Sequence, residues 1–539
     1  MVLLWGSNAR AAHPIFFHHL LKGVHNGARL FVVDPRRTES AQWADRWLGL
    51  DVGSDIALAH AMAREIIHAG LANRAFIDNA TSGFEEYAAH VEPFTLEEGE
   101  RRTGVPAEVI RETAHAYARA DRAMICWTLG ITEHHHGVDN VLALINLSLL
   151  CGHVGRYGSG VNPLRGQNNV QGGGDMGAIP NKLAGFQDIE RDADARERFE
   201  AAWGATIHPH YGWHLTQMFH AMDRGELRTL YVIGENPARS EADINHTRRL
   251  LGALDLLVVQ DIVWTATCDY ADVVLPGTAS WCESEGTVTN SERRVQRMRR
   301  ALDPPGDARD DMWIITELAR RLGYDWGSPT AEQVWDEVRS LSPMHRGMRY
   351  DRLEALGGIQ WPCPDEEHPG SPILHERLWA HPLEGPEAPF SAVPATGPFE
   401  ALDAEYPIRL TTGRRLESYN TGAQSALYRS PLHKGEFLDV SPEDADRLQL
   451  APDEIVRVSS RRGAVEAPVR IDPALRAGLM FMTFHFPEQV DVNQLTIDAT
   501  DPKSGTAEFK ATAIRVEKLA AADRAEQVGV QEPAAVGSD

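Results

Sequence analysis

A glycine- and amide-rich stretch dominates this sequence and reads Val161-Asn162-Pro163-Leu164-Arg165-Gly166-Gln167-Asn168-Asn169-Val170-Gln171-Gly172-Gly173-Gly174-Asp175-Met176-Gly177. It holds one cation, and its apolar residues follow neither the helical nor the strand period. Glycines let backbone N–H groups approach a ligand, while Asn and Gln offer donors and acceptors without charge. The stretch is therefore predicted to be a loop around a large polyanionic cofactor.

Arg165 is the candidate substrate-binding residue of this loop. A guanidinium keeps its charge and presents a planar fork that matches a carboxylate. The alternative is a glycine-rich linker in which Arg165 forms a surface ion pair. The density of amides and the pattern of the flanking segments favour the ligand-binding interpretation.

Two βαβ patterns are recognisable, and each places polar residues directly after its strands. Strands are predicted at 1–5 and 28–33 in the first unit, and at 230–233 and 256–259 in the second. Ligands of parallel α/β sheets bind beyond the carboxyl ends of the strands. The candidate binding residues there are Gly6, Ser7, Asn8, Asp34, Pro35 and Arg36 in the first unit, and Gly234, Glu235, Asn236, Gln260 and Asp261 in the second.

The two units also share their spacing. Asn8 precedes Asp34 by 26 residues, and Asn236 precedes Asp261 by 25 residues. An Ala-Asp-x-x-Leu motif follows in each unit, at 44–48 and at 271–275, and its aspartate stands eleven residues after Asp34 or Asp261. The repeat predicts two related nucleotide-binding halves and two bound nucleotides. Neither half has G-x-G-x-x-G or a Walker loop, so ordinary NAD or ATP sites are not supported.

Several polar residues near these units have a structural and a functional interpretation. Asp34 and Asp261 could accept hydrogen bonds from ribose hydroxyls or a guanine edge, or could form turns. Gly53 and Asp55 precede a predicted helix at 56–69, where Asp55 could also be a cap. The histidines at 134–136 are predicted to form a turn, because consecutive side chains diverge and one metal ion cannot easily bind all three.

Composition excludes several classes of partner. The sequence has 77 acidic and 53 basic residues, a net charge of −24, which argues against nucleic acid or an anionic membrane surface. The longest apolar run, at 141–150, is too short to cross a bilayer, and no signal-peptide pattern is present, so we expect a cytoplasmic protein without membrane insertion. Five scattered cysteines indicate neither a disulfide framework nor a cysteine-ligated metal cluster.

The pattern changes in the last third of the chain. Short alternating strands separated by turns begin at about 407 and predict a β-barrel. The fold class is therefore α/β, with two related Rossmann-like α/β/α domains and a C-terminal β-barrel. The predicted domains are 1–165 and 166–360 for the two dinucleotide-binding units, 361–404 for a connector, 405–519 for the barrel and 520–539 for a disordered tail.

Seven motifs along the chain are distinctive: Gly6-Ser7-Asn8, Val33-Asp34-Pro35-Arg36, Leu164-Arg165-Gly166-Gln167-Asn168-Asn169-Val170-Gln171-Gly172, Gly234-Glu235-Asn236-Pro237, Thr287-Val288-Thr289-Asn290-Ser291-Glu292-Arg293-Arg294-Val295-Gln296, Thr411-Thr412-Gly413-Arg414 and Ala507-Glu508-Phe509-Lys510. Through these motifs the chain resembles, from residue 1 to about 519, the molybdopterin oxidoreductase family, and within it the formate dehydrogenase catalytic subunits. Gly173-Gly174 departs from the Ala-Cys of many relatives. The resemblance implies that the C-terminal barrel is of the double-psi type.

The resemblance implies a molybdenum or tungsten ion held by two molybdopterin guanine dinucleotides, and oxidation of formate to CO2. Arg165 falls on the arginine that holds formate, whereas related nitrate reductases typically carry threonine there. The further cofactor contacts that it implies are Gly53, Asp55, Gly166, Gln167 and Asn168, and in the barrel Thr412, Gly413, Arg414, Thr421, Asn493 and Lys510.

The resemblance also implies a segment that precedes the point matching Met1. In the family this segment holds a 4Fe–4S cluster and the cysteine or selenocysteine ligand of the metal, so no metal ligand is predicted here. We expect the first domain to be incomplete at its N-terminus and the partners to be this missing segment or subunit and an electron-transfer subunit. The alternatives are a catalytically silent cofactor-binding or transfer module and a molybdoenzyme for another substrate such as nitrate.

Overall fold

The computed structural model describes residues 1–280, 283–416, 418–422 and 435–519. The predicted disordered tail at 520–539 and Cys282 lie outside the described residues. Within them, no helix combines the length and the apolar character needed to span a bilayer.

The first unit is a parallel α/β sheet in the strand positions that the apolar runs predict. Its helices are α1 (Ala9–Ala12), α2 (Pro14–His25), α3 (Asp55–His68), α4 (Arg74–Ala80), α5 (Phe84–Val91), α6 (Leu96–Thr103), α7 (Ala107–Arg119), α8 (Leu129–Thr132) and α9 (Gly137–Cys151). Its strands are β1 (Val2–Trp5), β2 (Leu30–Val33), β3 (Arg46–Leu48), β4 (Thr81–Ser82), β5 (Met124–Trp127) and β6 (Gly160–Pro163). Five of them form one sheet in the order β3-β2-β1-β5-β6, and every pair is parallel.

Both faces of this sheet are buried, which explains why its strands are continuous apolar runs rather than alternating ones. Leu3 and Trp5 pack into the larger core together with α3, α7 and α9. Leu4 points to the other face and packs with Phe17 and Leu20 of α2. All three strand side chains are fully buried. The sheet is thus rigid where its carboxyl edge carries the polar loops.

The second unit contains a shorter parallel sheet and an antiparallel one. Its helices are α10 (Val170–Asp175), α11 (Ala193–Trp203), α12 (Leu215–Asp223), α13 (Pro237–Ser240), α14 (Ile244–Leu251), α15 (Asp311–Arg321), α16 (Ala331–Leu341) and α17 (Tyr350–Leu356). Its strands are β7 (Lys182–Leu183), β8 (Gln187–Asp188), β9 (Thr229–Ile233), β10 (Leu256–Asp261), β11 (Val273–Pro276), β12 (Gly286–Thr289), β13 (Arg294–Met298) and β14 (Ile359–Gln360). The parallel sheet has the order β11-β10-β9, and β12-β13-β14 are antiparallel.

The repeated Ala-Asp motif has the same role in both units. Asp45 accepts a hydrogen bond from the backbone N–H of Leu30 at 2.8 Å, and Asp272 accepts one from Leu257 at 2.8 Å. Each carboxylate therefore pairs with a backbone N–H at the start of the second strand of its unit. The predicted relationship between the two halves rests on this shared geometry as well as on spacing.

The turn after the first strand is also the same in both units. Gly6 donates its N–H to Val33, and Gly234 donates its N–H to Gln260, both at 2.8 Å. Both glycines have positive φ, +57° and +63°, a conformation that other residues adopt at a cost. These turns direct the following Asn8 and Asn236 to the carboxyl edge of each sheet.

The C-terminal part is a closed barrel, as predicted. The elements after β14 are α18 (Arg377–Ala380), β15 (Ala388–Pro389), β16 (Ile408–Gly413), β17 (Leu438–Val440), α19 (Pro442–Leu448), β18 (Ile455–Ser459), β19 (Ala464–Ile471), β20 (Leu479–Thr483) and β21 (Thr512–Lys518). The described strands close in the order β16-β20-β17-β19-β18-β21 around a fully buried apolar core that includes Leu410, Val456 and Met480. The prediction of two parallel α/β units and a barrel is confirmed.

The segment predicted as a connector, 361–404, packs on the first unit. Its strand β15 pairs with β4, and Phe390 stacks on Tyr87 with ring centroids 5.1 Å apart. Asn146 of α9 exchanges two hydrogen bonds with the backbone of Ser391, at 2.7 and 3.0 Å. This packing fixes the direction in which the chain enters the barrel.

Gly130 is predicted to be intolerant of any side chain, because it packs against the Gly6 turn. A Cβ on Gly130 would lie 2.5 Å from the carbonyl oxygen of Gly6, which is a backbone atom and cannot easily move. We expect Gly130→Ala to lower the stability of the cofactor-free chain by about 1–3 kcal/mol, as overpacking does. Thermal unfolding measures the effect.

Gly173→Ala is the matched control, since a Cβ on Gly173 would meet no atom within 4 Å. It lies within α10, where alanine should be neutral or stabilising by less than about 1 kcal/mol. Equal Tm values for the two variants would contradict the packing argument.

Candidate functional site

Two adjoining cavities lie between the carboxyl edges of the two sheets and the barrel. Their volumes are about 210 Å³ for the first and about 550 Å³ for the second. Gln167, Arg414 and Phe484 line both, so one residue of the glycine-rich loop and two of the barrel form the boundary between the cavities.

The structure brings nearly all of the predicted site residues into these walls. The first cavity is lined by Gly6, Asn8, Asp34, Pro35, Arg36, Gly53, Asp55, Arg165, Gly166, Gln167, Thr412, Gly413, Arg414 and Lys510. The second cavity is lined by Gln167, Gly234, Glu235, Asn236, Gln260, Asp261, Arg414, Thr421 and Asn493. Each repeated half therefore contributes to a cavity of its own.

Two predicted residues do not line either cavity. Ser7 is buried beneath the first turn, where its Oγ has no hydrogen-bond partner among the described residues. Asn168 is exposed beside the loop. Their neighbours Gly6 and Gln167 line the first cavity, whereas Ser7 and Asn168 do not.

The sequence reasoning missed other wall residues. Thr128, Leu129 and Gly130 follow β5 directly, so the strand-end rule applied to that strand would have found them. Asp311 begins α15, and its Oδ1 accepts a hydrogen bond from Gln260 at 2.6 Å in the second cavity. No local signal identifies Phe484, because its role depends on the position of the barrel.

The charges of the two cavities differ. The first has four cationic side chains in its wall, Arg36, Arg165, Arg414 and Lys510, against two carboxylates. The second has Arg414 as its one cation among the described residues and four carboxylates, Glu133, Glu235, Asp261 and Asp311. Cations suit phosphate, whereas carboxylates suit sugar hydroxyls and base N–H groups. The two halves are thus related in fold but not equivalent as binding sites.

Arg165 is exposed as a residue and lies in the wall of the first cavity. Its Nε donates to Oε1 of Gln171 at 3.0 Å. Gln171 is the hydrogen-bond partner of this guanidinium, which forms no ion pair with a carboxylate among the described residues. The surface ion pair considered from the sequence is therefore not formed in this part of the chain, and the charge is available to an anion.

The three histidines are closer together than their consecutive positions predict. His134 and His135 place Nδ1 at 3.3 and 3.1 Å from the same oxygen of Glu508, and Nδ1 of His136 lies 3.3 Å from that of His135. The expected divergence is not observed, because the buried carboxylate of Glu508 in the barrel attracts the rings. Burial, together with the neighbouring His134 and His135, lowers the pKa of His136 to about 3.

Asp34 is expected to make the stability of the cofactor-free chain pH-dependent. Burial raises its pKa to about 6, and the charge and backbone N–H of Arg36 oppose this only in part. Between about pH 4 and pH 6 the folded carboxyl keeps a proton that the unfolded one has lost, so stability falls as pH rises through this window. The difference of about two pH units corresponds to about 3 kcal/mol.

Asp34→Asn should remove this contribution, because an amide still accepts from the Arg36 N–H but does not ionise. Its Tm should match the wild type near pH 4 and exceed it at pH 7. Parallel Tm profiles of the two proteins from pH 4 to 8 would show that Asp34 does not titrate in this way.

Comparison with known proteins agrees with this geometry. Residues 1–321 match the family model described as "Molybdopterin oxidoreductase", and residues 408–513 match "Molydopterin dinucleotide binding domain". The chain belongs to the molybdopterin oxidoreductase family.

Relatives of this molybdopterin oxidoreductase include two that align over nearly the whole chain. "F420-dependent formate dehydrogenase 2 subunit alpha" of Methanococcus maripaludis is 42% identical, covering 96% of this chain and 76% of the relative. "Formate dehydrogenase H" of Escherichia coli is 37% identical, covering 99% and 74%. Among solved structures, "Acetylene Hydratase from Pelobacter acetylenicus" has a TM-score of 0.71 at 21% identity, covering 96% and 78%, and shares the fold.

The residues of this molybdopterin oxidoreductase fit a large dinucleotide cofactor. Nε of Arg414, between the cavities, is buried without a hydrogen-bond partner among the described residues. Gly234 has open space where a Cβ would stand, so the backbone of the second cavity is accessible to a ligand. Cations, amides and exposed backbone match the phosphates, sugars and bases of such a cofactor.

Proposed function

We propose that this chain is the bis-molybdopterin-guanine-dinucleotide-binding portion of a formate dehydrogenase. The observation that supports this most directly is Arg165, which lines the first cavity and whose guanidinium forms no ion pair with a carboxylate among the described residues. Relatives named formate dehydrogenases align over 96% or more of this chain.

The reaction converts HCOO⁻ into CO2, a proton and two electrons. When bound, the molybdenum or tungsten centre supplies the two-electron acceptor. Arg165 binds the carboxylate of formate through a charge-assisted pair that offsets its desolvation and orients the C–H bond. Leu164, Val170 and Phe484, which line the same cavity, exclude water and so strengthen that pair.

Each cavity is proposed to bind one molybdopterin guanine dinucleotide. The repeat supports this, since Asn8 and Asp34 line the first cavity and the equivalent Asn236 and Asp261 line the second. Gly166 and Gln167 of the loop lie where the two ligands meet, and the barrel residues cover them. Ser7 and Asn168 line neither cavity, so no contact with the cofactor is assigned to them.

A further segment is proposed to supply the 4Fe–4S cluster and the cysteine or selenocysteine ligand of the metal. The four described cysteines, Cys126, Cys151, Cys268 and Cys363, are buried, and none lines either cavity. A thiolate ligand would therefore come from outside the described residues. Electrons would leave through the cluster to an electron-transfer subunit.

The test is expression of the chain with and without the N-terminal segment of the Methanococcus maripaludis relative. We expect formate-dependent dye reduction, bound metal and two equivalents of GMP on acid release from the combined protein. Full cofactor loading without formate oxidation would contradict the proposal and favour a cofactor-binding or transfer module. Oxidation of a reduced dye by nitrate, with no response to formate, would indicate a molybdoenzyme that acts on nitrate.

A further inference from the structure

Three side chains behind Arg165 form a continuous hydrogen-bond chain. Arg165 Nε donates to Gln171 Oε1 at 3.0 Å, and Gln171 Nε2 donates to Asp175 Oδ1 at 2.8 Å. Trp361 Nε1 donates to the other oxygen, Asp175 Oδ2, at 2.9 Å. Asp175 is fully buried, and Gln171 and Trp361 are each 8% exposed. The hydrogen-bond chain thus extends from the cavity wall into the protein interior.

We propose that Gln171, Asp175 and Trp361 are positioning residues that hold the Arg165 guanidinium in the orientation that binds formate. This inference rests on the proposed function, because it concerns the same substrate. None of the three lines either cavity, so each acts through Arg165.

The donors and acceptors in this hydrogen-bond chain allow only one direction of hydrogen bonding. A guanidinium can only donate, and a carboxylate can only accept. Gln171 stands between Arg165 and Asp175, so its amide must present oxygen to the first and N–H to the second. The amide is locked by both neighbours, and Arg165 Nε is engaged from behind. The terminal NH2 groups of Arg165 remain for the two oxygens of a carboxylate.

Elements far apart in sequence hold this hydrogen-bond chain in place. Gln171 and Asp175 are four residues apart on α10, so they share one face of the helix. Asn169 precedes that helix, and its Oδ1 accepts the N–H of Thr289 at 2.9 Å, which ties the loop to β12. Trp361 follows β14 and is 186 residues away from Asp175. The orientation of Arg165 thus depends on the second α/β unit.

Asp175 also gives the hydrogen-bond chain an electrostatic role. Burial raises its pKa, while the hydrogen bonds from Gln171 and Trp361 and the charge of Arg165 lower it. Removing the indole N–H should therefore raise this pKa further. Protonation of Asp175 adds a donor to its acceptor oxygen, so the amide of Gln171 is no longer held in one orientation and can turn its N–H groups toward Arg165.

The first pair of variants is Gln171→Met and Gln171→Glu in the formate-oxidising protein. Gln171→Met keeps the length but makes no strong hydrogen bond, so the KM and the dissociation constant of formate should rise about tenfold to a hundredfold at every pH. In Gln171→Glu the ionised carboxyl pairs with Arg165 and competes with formate. Its protonated form can donate to Asp175 and accept from Arg165, so formate binding should recover as pH falls.

The second pair is Trp361→Phe and its control, Trp203→Phe. Trp203 also donates Nε1 to a carboxylate, Glu337 at 2.9 Å, but away from both cavities. Trp361→Phe should raise the formate KM about tenfold with a smaller change in kcat. The pH below which formate binding weakens should also move to a higher value. Trp203→Phe should leave the formate KM, kcat and pH profile at their wild-type values.

Calorimetric titration of the cofactor-loaded proteins with formate gives a readout apart from turnover, and metal content shows that each variant is loaded. Unchanged formate affinity and pH profile in Gln171→Met, Gln171→Glu and Trp361→Phe, with a wild type that binds and oxidises formate, would overturn this inference alone. A loaded wild type that neither binds nor oxidises formate would overturn the proposed function and this inference with it.

Discussion

Arg165→Ala is expected to lower formate oxidation strongly while leaving the cofactor bound. Truncating one partner of a buried, hydrogen-bonded charge pair typically costs 2–5 kcal/mol, so kcat/KM should fall by about 30-fold to about 5000-fold. The metal and the released GMP should stay at wild-type amounts, because the other three cations of the first cavity are unchanged. Dye-reduction kinetics and metal analysis of the protein expressed with its N-terminal segment measure both.

Two control variants define what the loss means. Arg165→Lys keeps the charge but removes the planar fork and the Nε donor to Gln171, so it should recover only a small part of kcat/KM. Arg101→Ala removes an exposed arginine that pairs with Glu98 on the surface, and should leave the kinetics unchanged. Formate oxidation at the wild-type rate by Arg165→Ala would refute the assignment of this residue.

Lys510→Met is expected to empty the first cavity of its cofactor and to destabilise the protein. Lys510 is 8% exposed, and its Nζ lies 2.6 Å from Glu133 Oε2 and 3.2 Å from the carbonyl of Thr412. Breaking a buried pair by removing one partner costs about 3–5 kcal/mol, because a charge remains unpaired. We expect a Tm lower by roughly 5 °C or more and much less bound GMP and metal.

A double variant separates the two effects of this lysine. Lys510→Met combined with Glu133→Gln also replaces the carboxylate that the single variant leaves unpaired. Most of the loss in Tm should therefore be recovered, while the cofactor content stays low. Lys503→Met is the matched control, since Lys503 pairs with Asp139 but is half exposed. Full cofactor content in Lys510→Met would show that Lys510 supports the barrel without contacting the ligand.

Much of the fold could be predicted from the sequence because the signals are local. The strand at 1–5 was visible as an apolar run before a glycine, and the structure has it at Val2–Trp5. The second strand was predicted at 28–33 by the same reasoning, and the structure has it at Leu30–Val33. The repeat was visible because Asp45 and Asp272 occupy the same offset from Asp34 and Asp261, and each pairs with the corresponding strand start.

Other features could not be read from local pattern. The histidines were predicted to diverge, since neighbouring side chains in an isolated segment do so, yet Glu508 from the barrel draws them together. Asp311 and Phe484 carry no local motif that marks them as wall residues. The raised pKa of Asp34 likewise depends on burial by residues distant in sequence.

By itself the sequence determined the kinds of element, the two related halves and the arginine of the glycine-rich loop, because periodicity, turn chemistry and spacing act over short stretches of chain. Only the tertiary structure decided that the two cavities adjoin at Arg414 and that Trp361 and Asp175 brace Arg165 through Gln171. The hydrogen bond between Trp361 and Asp175 joins residues 186 positions apart. These contacts exist because the barrel and both sheets pack around one shared space, and no local pattern encodes that packing.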